Sequence, residues 1–403
     1  MRELNIYNIE KTEANKKLTV DGITKVYPVY KIKLSELYYN DQNDRIATWI
    51  SKYKIENKIT DFEKYNIETY NDKIGEFIKS SDEKAYKKTK NNIEAIGQQE
   101  PAIVLKDGRI IDGNRRFTCL RALAQNNTKF NYLESIIIDK DIENSKKEIK
   151  LLELYLQHGK EERVDYKPID RLVGIYNDIN KNNLITIKEY ADNTGQSEKE
   201  VKQLLDRAIL MNEFLEFINM PEHYYLAREL DLDGPLNEIN TILKKVKNDE
   251  DREDLKNILF TYLIMKPNSD MTRYVRHINK LVNNVQFKPF LEENLELTER
   301  FLEKFDEIEE NPDATFINEK VKSDIELTTE LNETYEKFQE KVKKRNTLNA
   351  PRNQVMKAIE ALENIDSHIV ISLNDEDHEQ FLSALNELEN TIHEFRKEVY
   401  GDA

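Results

Sequence analysis

The chain has 403 residues, with 77 acidic and 61 basic side chains and a net charge of −16. This length predicts about two or three domains rather than one. A single cysteine excludes a disulfide-stabilised fold, the sequence has no apolar run long enough to cross a membrane, and its N-terminus does not resemble a signal peptide. These features predict a cytoplasmic protein.

The acidity is concentrated in the C-terminal third. Residues 291–403 contain 29 acidic and 13 basic residues, whereas residues 1–290 contain 48 of each. Because an acidic surface repels nucleic acid, we expect this third to contact protein, either a partner or a second copy of the chain.

The first predicted element is a strand over residues 25–34, where apolar and polar side chains alternate. Pro28 within it predicts an edge or interrupted strand. Residues 38–90 follow with a mostly helical pattern. Their aromatic side chains are expected in the core, with stacking on nucleotide bases as the alternative. These aromatics are Trp49, Tyr53, Phe62, Tyr65 and Tyr70.

Residues 97–123 contain the most informative pattern. Two short strands, 102–105 and 109–111, are predicted around the Asp107-Gly108 turn, and a second turn, Asp112-Gly113, leads into a helix that begins at Asn114. Arg115 and Arg116 then lie in the first helical turn. Free backbone N–H groups, the helix dipole and two guanidiniums favour a phosphate there. The alternative is that the arginines pair with Asp112.

A strand is predicted over residues 133–138, and helices from about residue 145 to the end. Within them, the spacing of Ile187, Ala191, Gly195, Val201 and Leu204 is typical of a helix-turn-helix. A small residue lets the helices approach, and the glycine takes the left-handed turn conformation. Ser197 with Glu200 predicts a capping box at the start of the second helix.

The second helix of this unit supplies the candidate DNA contacts. They are Gln196, Ser197, Lys199, Lys202, Gln203 and Arg207. The same helix carries Glu198, Glu200 and Asp206, so a structural or protein-docking role is the alternative.

Near the C-terminus, apolar residues alternate by four and three as in a coiled coil. They are Phe381, Leu385, Leu388, Ile392, Phe395 and Val399. Residues 321–342 have a similar rhythm, and Pro351 is expected in the first turn of a separate helix between the two. The three helices could form an antiparallel bundle in one chain or pair with a second copy.

Several motif residues occur in a fixed order before the predicted helix: Gly97-Gln98, Pro101, a strand, and then Asp112-Gly113-Asn114-Arg115-Arg116. This order resembles the N-terminal domain shared by ParB partition proteins and sulfiredoxin. The resemblance extends over residues 25 to about 230. In ParB proteins the corresponding Gly-Glu-Arg-Arg motif binds the triphosphate of CTP with magnesium. The resemblance therefore implies a nucleoside triphosphate, CTP or ATP, with Mg²⁺. The implied binding residues are Gly97, Gln98, Asp112, Gly113, Asn114, Arg115 and Arg116, with Arg45 as a second-tier candidate.

The chain departs from these families at three places. Asn114 replaces the glutamate of the ParB motif, and residues 159–162 read Gly-Lys-Glu-Glu where ParB proteins carry a Glu-Asn pair that helps to hold the metal. Sulfiredoxin has a cysteine within its motif, whereas Cys119 lies on the following helix turn, which argues against sulfiredoxin chemistry. No catalytic residue or metal ligand is assigned.

These patterns predict an α+β protein in three parts. Residues 1–145 form a small mixed-sheet ParB/sulfiredoxin-like domain with a helical insert at about 38–90, residues 146–235 a helix-turn-helix domain, and residues 236–403 a helical acidic region for dimerisation or partner binding. The predicted function is nucleotide-dependent DNA binding by a ParB-like homodimer in the bacterial cytoplasm, on nucleoid, plasmid or phage DNA. The alternatives are a ParB-like nuclease or NTP-hydrolysing enzyme (a CTPase or ATPase), in which Asp112 and Glu100 would be the candidate carboxylates, and an adaptor with a degenerate nucleotide site.

Overall fold

The computed structural model describes residues 3–20, 22–60, 62, 66–140, 144–158, 167–306, 317 and 324–401. The chain forms two compact units, Met1–Phe338 and Gln339–Ala403. The ParB Glu-Asn equivalent at residues 159–162 lies outside the described residues. Domain limits at residues 145 and 235 remain a prediction.

The first unit contains a six-stranded mixed sheet in the order β1-β2-β6-β4-β5-β3. The strands are β1 (Ile9–Val20), β2 (Ile23–Lys33), β3 (Tyr38–Tyr39), β4 (Ala102–Leu105), β5 (Arg109–Asp112) and β6 (Tyr132–Ile138). The β4–β6 and β3–β5 pairs are parallel, and the other pairs are antiparallel. With the helices that follow, this sheet confirms the α+β class.

Strand β2 differs from the prediction at Pro28. It is not an edge strand, because it lies between β1 and β6. Pro28 is tolerated because β6 pairs only with residues 30–33 of β2, and because the β1 register opposite the proline is irregular between Lys11 and Asn15. β2 is continuous from Ile23 to Lys33, so the prediction of an edge or interrupted strand is wrong on both counts.

Sixteen helices are named in the described residues. In the first unit they are α1 (Ala47–Glu56), α2 (Ile67–Ser81), α3 (Glu83–Ile96), α4 (Asn114–Ala124), α5 (Lys146–His158), α6 (Pro168–Ile175), α7 (Ile187–Thr194), α8 (Glu198–Phe217), α9 (Tyr224–Glu229), α10 (Asp233–Leu243), α11 (Asp249–Met265), α12 (Met271–Ile278) and α13 (Phe287–Asp306). A 3-10 helix, Asp44–Ile46, precedes α1, and a π-helix, Tyr176–Lys181, follows α6. Three further helices lie partly or wholly in the second unit.

The sheet is packed on both faces. Ala102 and Val104 of β4 belong to one apolar cluster, with Phe77 of α2 and Phe117 of α4. The alternate β4 residues belong to a second cluster that includes the apolar face of α5. The insert aromatics are core residues as predicted, with Phe62 buried and Trp49, Tyr53 and Tyr70 packed against the first cluster, while Tyr65 lies outside the described residues.

The local predictions for α7 and α8 are confirmed. α7 begins at Ile187, Gly195 has a φ of +67°, and α8 begins with the Ser197–Glu200 capping box. Ala191, Val201 and Leu204 are buried, whereas Ile187 at the start of α7 is half-buried.

The boundary between the units falls within a long helix, α14 (Ile325–Glu363), which is followed by α15 (Ser367–Ile371) and α16 (Asp375–Tyr400). Pro351 lies inside α14, so the prediction of a separate helix starting there is wrong. A proline removes one helical hydrogen bond, and the helix formers on both sides outweigh that loss. None of the described helices is both long and apolar enough to span a membrane.

Candidate functional site

The turn between β5 and α4 depends on a glycine. Gly113 has a φ of +108°, and a Cβ atom there would lie 2.7 Å from the Cβ of Ala102. Because Gly113 is also the N-cap, no side chain caps α4. The first N–H groups of the helix are therefore left to other acceptors, as at many phosphate sites.

A pocket of about 520 Å³ opens at this turn. The 3-10 helix before α1, helices α2, α3 and α5, and the β5–α4 turn all contribute side chains to it. The predicted residues that line it are Arg45, Asp112, Gly113, Asn114, Arg115 and Arg116. The structure therefore brings six of the eight predicted nucleotide-site residues to one place.

Arg115 and Arg45 bring two positive charges into this pocket. Burial lowers the pKa of Arg115, and the nearby charge of Arg45 lowers it further. The carboxylate of Asp82 lies 3.6 Å from the Arg115 guanidinium. Like charges that are held together in a partly desolvated pocket repel each other, so a bound anion would stabilise this arrangement.

Arg116 has a different environment. Its Nη2 donates to Asp112 Oδ2 at 2.9 Å, and its Nη1 donates to the backbone carbonyl of Glu100. The alternative reading, an arginine paired with Asp112, therefore describes Arg116. These bonds tie the β5–α4 turn to the segment that precedes β4.

Asn114 is 8 % exposed, and its Oδ1 has no hydrogen-bond donor among the described residues. Gln157 of α5 also lines the pocket, and its Oε1 likewise has no donor. A buried acceptor without a donor is costly, so a ligand that donates to these oxygens would gain affinity. The pocket thus combines cations for an anion with acceptors for hydroxyl or amino groups.

Gly97 and Gln98 do not line the pocket. Gly97 ends α3 with a φ of +77°, and the Gln98 amide donates to the carbonyls of Glu100 and Glu134 at 2.8 and 2.7 Å. Gln98 also accepts from the Glu134 amide at 3.0 Å. Both residues hold the segment before β4 against β6 and so support the site indirectly.

The sequence analysis missed several polar residues that line the pocket. They are Asn43, Ser81, Thr89, Asn92 and Gln157. They come from four separate segments and form no motif, so only the fold brings them together.

The site supplies few ligands for a metal. No cluster of three or more histidine, cysteine or acidic residues in the described part of the chain could hold one. Asp112 is bonded to Arg116, and the Glu100 side chain is 68 % exposed beside Lys16. Magnesium commonly binds through one or two carboxylates plus substrate phosphates, so this pocket fits an ion that arrives with a triphosphate.

Cys119 is unsuited to redox chemistry. Cys119 belongs to α4, and its buried thiol donates to the carbonyl of Tyr86 on α3 at 3.7 Å. Burial raises the pKa of Cys119 to about 12, so the reactive thiolate is scarce at neutral pH.

The candidate DNA contacts on α8 fall into two groups. Lys199, Lys202 and Gln203 are exposed on the first two turns. The others have structural partners: Gln196 accepts from Arg171, Ser197 caps α8, and Arg207 is 3.1 Å from Asp233. The exposed group is therefore the better candidate for contacting phosphates.

No protein-family model matches the chain, and no curated protein matches it. Among solved structures, a Pnob8-like ParB-N domain aligns with 67% of this chain and 98% of its own, at 14% identity and a TM-score of 0.37. The C-terminally truncated chromosome-partitioning protein ParB from Caulobacter crescentus, complexed with CTP-gamma-S, aligns with 62% of this chain and 98% of its own, at 14% identity and a TM-score of 0.18. Both likenesses are weak, and neither establishes a ligand or a partner for this chain.

Proposed function

We propose that this protein binds DNA under the control of a nucleoside triphosphate, in the manner of ParB proteins. One observation carries the proposal: Arg45 and Arg115 converge on the uncapped N-terminus of α4 in a single pocket. The resemblance of residues 97–123 to the ParB motif supports the same ligand class.

A nucleoside triphosphate matches the chemistry of the pocket at both ends. Its phosphates suit the two guanidiniums and the helix N-terminus. Its ribose hydroxyls or base amino group can donate to Asn114 Oδ1 and Gln157 Oε1, which have no donors among the described residues. The volume of about 520 Å³ is within the usual range for sites that bind a small molecule.

Magnesium would be held mainly by the phosphates, with Asp112 as the nearest carboxylate of the motif. When bound, the ion would neutralise phosphate charge. The chain's own contribution is to orient the phosphates through Arg45, Arg115 and the α4 amides, while Arg116 keeps Asp112 in place.

DNA binding is proposed for α7 and α8, acting as a helix-turn-helix. The exposed lysines Lys199 and Lys202 would contact phosphates, and Gln203 would lie beside them. A homodimer is proposed through the second unit, where large apolar side chains remain exposed on α14 and α16.

The proposal is tested by calorimetry of the full chain with CTP, ATP and GTP, each with magnesium, in the presence and absence of mixed duplex DNA. Arg115→Ala is the test variant. Arg121→Ala is the matched control, because Arg121 lies on the same helix but pairs with Asp72 at 2.8 Å, outside the pocket.

We expect one triphosphate to bind saturably, DNA to change its affinity, and only Arg115→Ala to weaken the binding, by about tenfold or more. If no triphosphate binds, the nucleotide function is wrong and an adaptor with a degenerate site is favoured. Release of phosphate or nicking of DNA would instead indicate an enzyme.

A further inference from the structure

A buried ionic cluster lies next to the pocket. Lys150 of α5 is 5 % exposed, and its Nζ donates to the two carboxylate oxygens of Asp44 at 2.9 and 3.0 Å. Asp178 Oδ2 lies 3.2 Å and Glu153 Oε2 lies 3.8 Å from the same Nζ. One ammonium is therefore surrounded by three carboxyl groups in the protein interior.

Stability alone does not account for this cluster. Burial raises the pKa of Glu153 and of Asp178, and the Lys150 charge only partly offsets that effect. Burying several charges usually costs more than packing apolar side chains of the same size. The arrangement therefore suggests a role in holding a particular geometry.

The cluster reaches the pocket through one short segment. Asp44 and Arg45 are consecutive residues of the 3-10 helix Asp44–Ile46, whose start is capped by Asn43, which accepts from the Arg45 amide at 3.1 Å. The Asp44 side chain points to Lys150, while Arg45 lines the pocket. Because the two residues share a capped turn, moving Asp44 would also move Arg45.

The same cluster contacts the helices that lead to the helix-turn-helix. Asp178 belongs to the π-helix Tyr176–Lys181. Gly174 of α6 lies against Asp44 so closely that a Cβ atom at Gly174 would be 2.5 Å from the Asp44 carboxylate carbon. The absence of a side chain at Gly174 lets α6 pack against Asp44.

We propose that Lys150 is a positioning residue for the anion pocket. Through its bonds to Asp44, Lys150 holds the neighbouring Arg45 in place. Through Asp178, it links the 3-10 helix Asp44–Ile46 to α6 and the π-helix. This inference rests on the proposed function, because it assigns Arg45 to a phosphate ligand. It extends that function by naming the connection between the pocket and the helical part of the unit.

A double-mutant cycle tests the proposal. The affinity of the full chain for magnesium tripolyphosphate, which has phosphates but no base, is measured by calorimetry for wild type, Lys150→Met, Arg45→Ala and the double variant. We expect Lys150→Met to weaken binding at least about fivefold in the wild-type background and to have no further effect once Arg45 is removed. Lys181→Met is the matched control, since it removes a lysine whose ion-pair partner is Glu222.

A second variant keeps every charge in the cluster. Gly174→Ala should push Asp44 away from α6 and weaken tripolyphosphate binding in the same direction as Lys150→Met. In the ligand-free protein, it should also speed hydrogen exchange at the Arg45 and Ile46 amides, which are bonded to Asn43. This variant carries the test if Lys150→Met does not fold, as judged by its thermal unfolding.

The outcomes separate this inference from the proposed function. If wild type binds tripolyphosphate and the losses caused by Lys150→Met and Arg45→Ala add, Lys150 acts by general destabilisation and the inference is wrong. It is also wrong if Gly174→Ala changes neither affinity nor exchange. If wild type binds neither tripolyphosphate nor a nucleotide, the proposed function fails and the inference fails with it.

Discussion

At the residue scale, two neighbouring arginines have different roles. Arg116 bonds to Asp112 and to the Glu100 carbonyl, whereas Arg115 lies in the pocket, where burial and the nearby charge of Arg45 lower its pKa. The sequence places both in the first turn of α4. It could not separate them, because the partner carbonyl of Arg116 is 16 residues away.

We predict that the two single substitutions affect different properties, one the affinity for a triphosphate and the other the stability of the fold. Arg115→Ala should raise the Kd for a triphosphate about tenfold or more, which corresponds to about 1.4 kcal/mol, and should leave the free energy of unfolding nearly unchanged. Arg116→Ala should lower the free energy of unfolding by about 1 to 3 kcal/mol, since it removes charged hydrogen bonds. Calorimetry and urea denaturation measure the two quantities. The reverse pattern would show that Arg116 is the ligand residue.

A second residue-scale prediction concerns pH. Asp170 is 1 % exposed and accepts from the Thr48 amide at 3.2 Å. Burial raises the pKa of Asp170 from 3.8 to about 6, despite the hydrogen bonds from Thr48 that lower it. Because the folded pKa is above the unfolded one, its contribution to stability is complete below about pH 4 and is lost as the pH rises through 6.

Asp170→Asn keeps the shape and the acceptor while removing this titration. Relative to wild type, the variant should therefore gain stability between pH 4 and 7, by about 2 to 3 kcal/mol for a shift of about two pKa units. Urea denaturation at several pH values measures this difference. Asp192→Asn, at an exposed position of α7, should show no such trend. A flat difference for Asp170→Asn would mean that Asp170 is ionised in the folded protein throughout this range.

At the element scale, the first two turns of α8 expose lysines beside the acidic Glu198. Lys199 and Lys202 are exposed, whereas Glu200 is held by its capping bonds to Ser197. Each phosphate contact releases counterions, so it contributes about 0.9 to the slope of log affinity against log salt.

We predict that Lys199→Gln with Lys202→Gln weakens binding to mixed duplex DNA and reduces that slope by about 2. Fluorescence anisotropy over a range of salt concentrations measures both effects. Lys84→Gln with Lys88→Gln, on the exposed side of α3, makes the same change in net charge and should alter neither. Equal effects of the two pairs would indicate nonspecific attraction and not binding by α8.

The elements that could be predicted are those set by neighbouring residues. β4, β6, the start of α4, the Gly195 turn and the Ser197 capping box each depend on a few consecutive side chains. β1 was not predicted, because its polar residues become a strand only through pairing with β2. Pro351 predicted a helix start that the surrounding residues of α14 override.

The candidate site shows the same limit. The β5–α4 turn could be predicted because Asp112 to Arg116 are consecutive. The Lys150 cluster could not, since Asp44, Lys150 and Asp178 come from three distant segments and share no spacing pattern. Burial of a lysine among carboxylates becomes visible only when the fold is known.

At the scale of the whole molecule, the second unit has more apolar surface than it covers. Of the predicted coiled-coil positions on α16, Ile392, Phe395 and Val399 are exposed, with Phe395 at 55%. Further large apolar residues are exposed in the same unit: Leu348, Val355, Met356, Ile359, Leu362, Ile365, Ile369 and Ile371. Their number and spacing favour a second copy of this chain as the occupant of that surface.

We predict that the full chain is a dimer and that Ile392→Glu with Phe395→Glu makes it monomeric, because each buried side chain of this size is worth about 1.5 to 3 kcal/mol. Sedimentation velocity measures the change. Asn390→Glu with His393→Glu adds the same charge at exposed positions outside the apolar seam and should leave the dimer intact.

The net negative charge of α16 predicts how the dimer depends on salt. α16 has eight acidic and two basic residues, so two copies brought together would repel each other. Salt screens this repulsion, and we therefore expect the dimer to become tighter as salt increases, while DNA binding becomes weaker. A dimer that dissociates in high salt would be held by ion pairs, and the apolar seam would then have a different partner.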